Sequence, residues 1–367
     1  MKKNKNNLKE PFVRIVKRDN ISFPKIILIY SVAIVGSLLL SGLISVLFSE
    51  KGVGDFFQSL FTGAFGSERK FWLLLQDTSL LLGTSMALLP AFKMKFWNLG
   101  GNGQILVGCL AAIACMFYLG GEVSDSVIIP LMLISSVAAG AVWAVIPAIF
   151  KAKFNTNESL FTLMMNYIAT QIIAYYVYIE GGGSNVINPV SYGNFPAVGN
   201  NDYFVNIVTV AAITVLMYVY LRYSKQGYEI SVVGESQNTA RYVGINVRKT
   251  IIRTMLLSGA ICGIAGFITV AGKNMTLSIN TAGGYGFTAI IVAWLAKFNT
   301  GFMALISFLL IFLEKGATQI ASAYSSLNDY ASSIVTGVIL FFILGSEFFI
   351  NYRLIFRKGS SKGGESK

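Results

Sequence analysis

Apolar residues in this chain do not alternate with polar ones; they run on. Ile26–Phe48 contains no charged residue, and several later runs come close to that. A hydrocarbon layer about 30 Å thick needs roughly 20 apolar helical residues to cross it. The pattern predicts spans over Ile26–Phe48, Phe71–Phe92, Gln104–Leu119, Val127–Phe150, Ser159–Ile179, Phe204–Leu221, Ile251–Ala271, Gly286–Ala296, Gly301–Ile320 and Ala331–Ile350. The expected fold is therefore all-α: a polytopic membrane protein with about ten transmembrane segments. A chain of 367 residues would otherwise suggest two or three soluble domains, which the uncharged runs exclude. Residues 1–25 read as a basic inner N-terminus, 26–350 as the membrane domain with an inner loop over 222–250, and 351–367 as a basic inner tail.

Two of these spans are short, and each follows a glycine-rich segment. "NLGGNGQ" (Asn98–Gln104) precedes the first, and "TAGGYGF" (Thr281–Phe287) precedes the second. Glycine is costly inside a helix and favours turns. Both read as broken or re-entrant helices whose freed peptide groups face a cavity, because such groups cannot face lipid. Each sits after one long span and before two more, so spans two to five match spans seven to ten in order. Span two runs outside to inside and span seven inside to outside. That is an inverted repeat, and matched interrupted segments point to the substrate path of a transporter. Gly259, Gly263 and Gly266 read instead as helix-packing residues.

Charge sharpens the topology. All but five of the 29 lysines and arginines fall on the side that carries both termini, the exceptions being Lys51, Arg69, Lys70, Lys273 and Lys315. The acids Glu50, Asp55, Glu68, Glu122, Asp125, Glu180, Asp202, Glu314 and Asp329 fall on the other side. This is the positive-inside distribution, and it explains the net charge of +12 without nucleic acid. The run after the basic start (Lys2 to Lys25) is too long for a signal-peptide core and reads as a retained first helix with its N-terminus inside. Cys109, Cys115 and Cys262 have neither metal nor redox spacing and read as small hydrophobes. The absence of histidine excludes His-ligated metals and His-based catalysis.

No catalytic constellation is present, and no G-x-x-x-x-G-K-[ST] loop cradles a nucleotide, so the chain does not hydrolyse ATP by itself. Asp77 is the one clear carboxylate within a span and is expected to reach water near its helix end; an ion-coupled transporter would need more. Asn155 or Asn157 can cap the next helix, with Glu158 either favouring its dipole or serving function. Asn98, Gly100, Gly101, Asn102, Gly103 and Gln104 in the first glycine segment are candidates for the substrate path. So are Asn166 for hydrogen bonding, Tyr167 for ring stacking, and Tyr285 and Phe287 beside the second glycine segment. The inner loop is unusually polar: "VVGESQNTARYVGINVRKTIIR" (Val232–Arg253) contains a short helix capped by Ser236 or Asn238 and ended by Gly244. It either lies on the headgroups or serves as a docking knob for a soluble partner.

"FWNLGGNGQILVGCLAA", "NESLFTLMMNYIA", "VVGESQNTARYVGINVRKTIIRTMLLSGAICGIAG" and "GGYGFTAIIVAWLAKFNTGF" occur in that order. Together they resemble membrane permeases of ATP-binding-cassette (ABC) importers, in the simple-sugar and nucleoside branch related to the branched-chain amino acid permeases. The resemblance covers roughly residues 71–350. It implies a bacterial cytoplasmic-membrane permease that pairs with a second, homologous permease. It also implies an extracellular lipoprotein or periplasmic binding protein that delivers substrate, and a separate ATPase with two cassettes that binds ATP and Mg. No cofactor is then expected in this chain. Gly234, Glu235, Ala240, Arg241 and Gly244, with Asn238 in the same short helix, match the coupling segment that docks on the ATPase. The family usually has an acid where this chain has Asn102, which bears on specificity if that acid meets substrate. The long basic N-terminus resembles the longer permease of nucleoside systems, so the implied cargo is a nucleoside, with a simple sugar as the alternative.

Overall fold

The computed structural model describes residues 13–18, 21–47, 53–199, 201–323 and 330–356. The basic residues Lys2, Lys3, Lys5 and Lys9, the outer-side charges Glu50, Lys51 and Asp329, and the tail beyond 356 lie outside the described residues. Helices dominate: α1 Phe23–Leu47, α2 Val53–Phe65, α3 Glu68–Lys93, α4 Gly101–Leu119, α5 Asp125–Phe154, α6 Glu158–Glu180 and α7 Phe204–Tyr223. They continue with α8 Lys225–Glu235, α9 Gln237–Tyr242, α10 Val247–Thr269, a π-helical turn Val270–Asn274, α11 Tyr285–Leu295, α12 Thr300–Ala323 and α13 Tyr330–Asn351. Among the described residues, eight helices are long and apolar enough to cross a membrane: α1, α3 to α7, α10 with its π-turn, and α12. The apolar parts of α11 and α13 are shorter.

The chain divides into two compact units, 64–315 and 1–63 with 316–367. In the larger unit, α10 packs against α5, α4 and α3. Glycine makes the first two contacts possible. A methyl group on Gly263 would overlap the Ser136 carbonyl of α5, and one on Gly108 of α4 would stand 2.9 Å from the Gly263 Cα. Gly259 faces Gly140 and Ala144, and Gly266 faces the Ile105 carbonyl. Small residues at such seams let backbones approach where lipid supplies no hydrophobic drive. The packing role expected of Gly259, Gly263 and Gly266 is thus what the structure has.

In the smaller unit α1 packs on α13, with Gly36 against the Phe342 ring and the Tyr30 hydroxyl donating to Glu347. Strand β1 (Val13–Lys17) pairs antiparallel with β2 (Tyr352–Phe356), Val13 opposite Phe356 and Lys17 opposite Tyr352. The chain therefore enters α1 and leaves α13 at the same end.

Helix ends follow local chemistry. Ser67 caps α3 by accepting from the Lys70 N–H at 3.3 Å. Asn157, one of the two expected caps, accepts from Ser159 and Leu160 N–H groups at 3.1 and 3.2 Å. Glu158 pairs with Lys151 at 2.8 Å. Two helices were not predicted. The segment of α2 is too short to span and carries Asp55, yet it buries Phe56, Leu60 and Ala64. Helix α8 buries Ile230, Val233 and Gly234 within a stretch whose polarity had read as loop.

Candidate permeation and coupling sites

The first glycine segment is a loop followed directly by helix. Helix α4 starts at Gly101, three residues before its expected start, so Gly101 and Gly103 lie in its first turn. That placement costs little, because first-turn N–H groups lack helical partners in any case. Side chains supply them instead. The Gly103 N–H donates to Asn166 Oδ1 at 2.8 Å, Leu99 N–H to Thr162 Oγ1 at 3.1 Å, and Gly100 N–H to Asn98 Oδ1 at 3.0 Å. Asn166 Nδ2 returns a bond to the Leu99 carbonyl at 2.8 Å. Asn98 donates to Ser258 Oγ at 3.2 Å, and Gln104 Nε2 donates to Asn98 Oδ1 at 3.2 Å. Asn98, Gln104 and Asn166 are buried and held by one another and by backbone.

The two glycine segments meet. A methyl on Gly286 would overlap the Asn102 backbone, so the start of α11 lies directly on the first turn of α4. Trp97, before α4, stacks on Trp294, near the end of α11, with ring centroids 5.0 Å apart. Asn102 Oδ1 is buried without a hydrogen-bond partner, which is costly unless a ligand or water meets it. Tyr285 is buried, Phe287 is 44% exposed, and Tyr167 is 62% exposed on the outer face of α6. There Tyr167, Gln171 and Tyr175 line a shallow groove with Ile168 and Ile172.

The polar loop folds as a rigid bracket. Ser224 caps α8, accepting from Gly227 N–H at 2.9 Å, and Ser236 caps α9, accepting from Thr239 N–H at 3.2 Å. Of the two residues considered as caps for the short helix, Ser236 is therefore the one that acts. Gly234 presses on the end of α3, where a methyl would overlap the Lys93 carbonyl. Glu229 Oε2 pairs with Arg253 Nη2 of α10 at 2.8 Å. Ala240 is buried against the bracket, whereas Glu235, Asn238, Arg241 and Gly244 are exposed. Gly244 takes a φ of +82°, which a side chain would resist. Tyr242, not singled out from the sequence, is 91% exposed.

Asp77 does not reach water. Its side chain is 3% accessible and sits between two lysines, Lys273 Nζ at 2.6 Å from Oδ1 and Lys315 Nζ against Oδ2. Lys273 and Lys315 had been counted as outer-side charges, and the need to neutralise a buried carboxylate draws them inward. Lys273 also donates to the Tyr285 hydroxyl at 3.3 Å. Its residue lies on the π-turn, whose Gly272 carbonyl accepts from Gln76 at 2.8 Å and from Asn206 at 2.9 Å. The available signal was an acid, Asp77, and a base, Lys315, inside apolar runs, with Lys273 just beyond the end of another, each needing a partner.

A bundle seamed by glycines, with eight helices among the described residues long and apolar enough to cross a membrane, is that of a multi-pass membrane protein. The family model described as "Branched-chain amino acid transport system / permease component" matches residues 71–344. The chain belongs to that family of ABC transporter permeases, and is a transport component and not an enzyme. It is 30% identical over 323 residues to the Guanosine ABC transporter permease protein NupP of Bacillus subtilis, covering 84% of this chain and 90% of that one. It is 27% identical to the Glucose ABC transporter permease protein TsgB13 of Haloferax volcanii, covering 82% of each. It is 26% identical to the Nucleoside ABC transporter permease protein NupB of Lactococcus lactis, covering 86% of this chain and 90% of that one.

Proposed function

We propose that this chain is the permease of a nucleoside importer in a bacterial cytoplasmic membrane, with both termini inside. It works with a second homologous permease, an extracellular or periplasmic binding protein, and a separate two-cassette ATPase. The observation that carries the cargo is the 30% identity to a guanosine permease over nearly the whole of both chains. The buried, mutually neutralised charges agree with it, since a neutral cargo needs no free charge in its path.

The bracket α8–α9 is the ATPase contact. Its exposed face offers Glu235, Asn238, Arg241, Tyr242 and Gly244, while Gly234 and the Glu229–Arg253 pair tie it to α3 and α10. A push on α9 is thereby passed to two membrane helices. In the path, Asn98, Gly100, Gly101, Gly103, Gln104 and Asn166 build the turn. Asn102 and Phe287 retain groups free to meet cargo, an unpartnered amide oxygen and an exposed ring, whereas Tyr167 faces outward from α6. Tyr285 closes the path from the side of the charge cluster.

A simple sugar is the second reading, favoured by 27% identity to a glucose permease. Uptake of radiolabelled adenosine, uridine and ribose in cells lacking the chain separates the two. Loss of adenosine and uridine uptake, restored by the wild-type chain, supports the nucleoside reading. Loss of ribose uptake alone moves the cargo to sugars and refutes it.

A further inference from the structure

A carboxylate shared by two ammonium groups is an unusual thing to bury. Asp77 is desolvated, although the two lysine side chains keep 24% and 27% of their surface, and removal of a sole partner from a buried carboxylate is strongly unfavourable. Asp77 is not in that position. If Lys273 withdraws, Lys315 stays paired with it, while Glu314 is a second carboxylate within electrostatic reach of the same lysines. One of the two pairs can therefore open without leaving Asp77 unpaired.

Lys273 is the one placed to move. It lies on the π-turn Val270–Asn274, and π-turns interrupt a helix at positions that often carry function. The turn touches three things. Gln76 of α3 and Asn206 of α7 hold its Gly272 carbonyl. The connection between α6 and α7 lies along it: Phe195, Val190 and Ile187 N–H groups donate to the carbonyls of Ala271, Met275 and Leu277, each at 3.0 Å. The same connection is anchored at its far side, where Gly193 N–H donates to Asp125 Oδ1 at 2.8 Å. Finally, Lys273 reaches the Tyr285 hydroxyl, and its ammonium lies 5.4 Å from the centre of that ring, at the start of α11.

We infer that the Lys273–Asp77 pair is a latch on the end of the path opposite the bracket α8–α9. Closed, it holds the π-turn and the start of α11 against α3. Open, Lys273 leaves Asp77, the segment 275–285 swings from α3, and Lys315 stays paired with the carboxylate. The 187–195 connection, bonded to the segment that moves, is the handle by which a delivering protein opens the latch. Lys273 and Asp77 are positioning residues; they are not cargo ligands. This rests on the proposed importer only for which face is external.

The test is accessibility, which a purely structural ion pair does not control site by site. In a chain with Cys109, Cys115 and Cys262 replaced by alanine, single cysteines are placed at Ala282 (1% exposed), Ala289 (0% exposed) and exposed Ser191. A membrane-impermeant maleimide is applied to whole cells and to inverted vesicles. Ser191→Cys reports which face is external, so a wrong topology is seen separately and Ala282→Cys is then read on whichever face labels. With Lys273→Gln, Ala282→Cys is expected to label several-fold faster while Ala289→Cys stays protected. Lys315→Gln and Lys273→Arg leave Ala282→Cys protected. Asp77→Asn, which needs no counter-ion, is expected to behave as Lys273→Gln and serves if that variant does not accumulate. Unchanged labelling at Ala282→Cys, or equal acceleration at Ala289→Cys, overturns the latch. So does failure of both variants to accumulate, which assigns the pair to folding alone.

Discussion

Asn166 and Tyr167 are chain neighbours with opposite fates, and the difference is a matter of which way each points from α6. Asn166 turns inward and satisfies both the Gly103 N–H and the Leu99 carbonyl. Replacing it by leucine leaves those two groups unpaired, at a cost of about 1–3 kcal/mol each. The melting temperature of the detergent-solubilised protein should fall, with the uptake KM of the remaining protein little changed. Tyr167→Ala, on the outward face of the same helix, should leave both abundance and uptake KM little changed, and a weakened uptake at full abundance would bring that ring into the path. An altered KM for Asn166→Leu at unchanged stability would reassign that amide to the cargo. Both residues stood out in the sequence as polar groups at membrane depth. Their separate roles did not, because the partners of Asn166 lie more than sixty residues away along the chain. Asp77 misled for the same reason: a carboxylate in the outer third of a helix reads as solvated until Lys273 and Lys315 arrive from distant segments.

At the scale of elements, apolar run length placed the spanning helices because crossing a bilayer is a length requirement that local sequence must meet. It could not place α2 or α8, which are too short to span and owe their helicity to one buried face. Nor could it place the π-turn, which side-chain amides from α3 and α7 stabilise. The seam between α10 and α5 was legible from Gly259 and Gly263, though not the identity of its opposite face, Ser136 and Gly140. Gly263→Leu should therefore push α10 off α5 and sharply reduce membrane abundance. Gly337→Ala, where an added methyl meets nothing within 4 Å, should be silent; equal abundance of the two variants would refute the seam. In the bracket, Gly234→Val should lever α8 away from the Lys93 carbonyl and lower uptake more than it lowers abundance. Parallel losses in both would make Gly234 a folding residue only.

In the whole molecule, the place where the two glycine segments meet is joined through α3 and α10 to the exposed bracket α8–α9. The glycine segments were visible as interruptions of apolar runs, while their contact through Gly286 and Asn102 needed the fold. The energy must come from outside the chain, and Arg241 on α9 is exposed with no role in the packing of the bundle. The most direct measurement is nucleoside uptake in cells lacking the chain, rescued by wild type or Arg241→Glu at equal membrane abundance, with and without an uncoupler. The account predicts rescue by wild type that survives the uncoupler while ATP is maintained, and none by Arg241→Glu. Full rescue by Arg241→Glu, with uptake abolished by the uncoupler, would contradict it and point to an ion gradient as the source of energy.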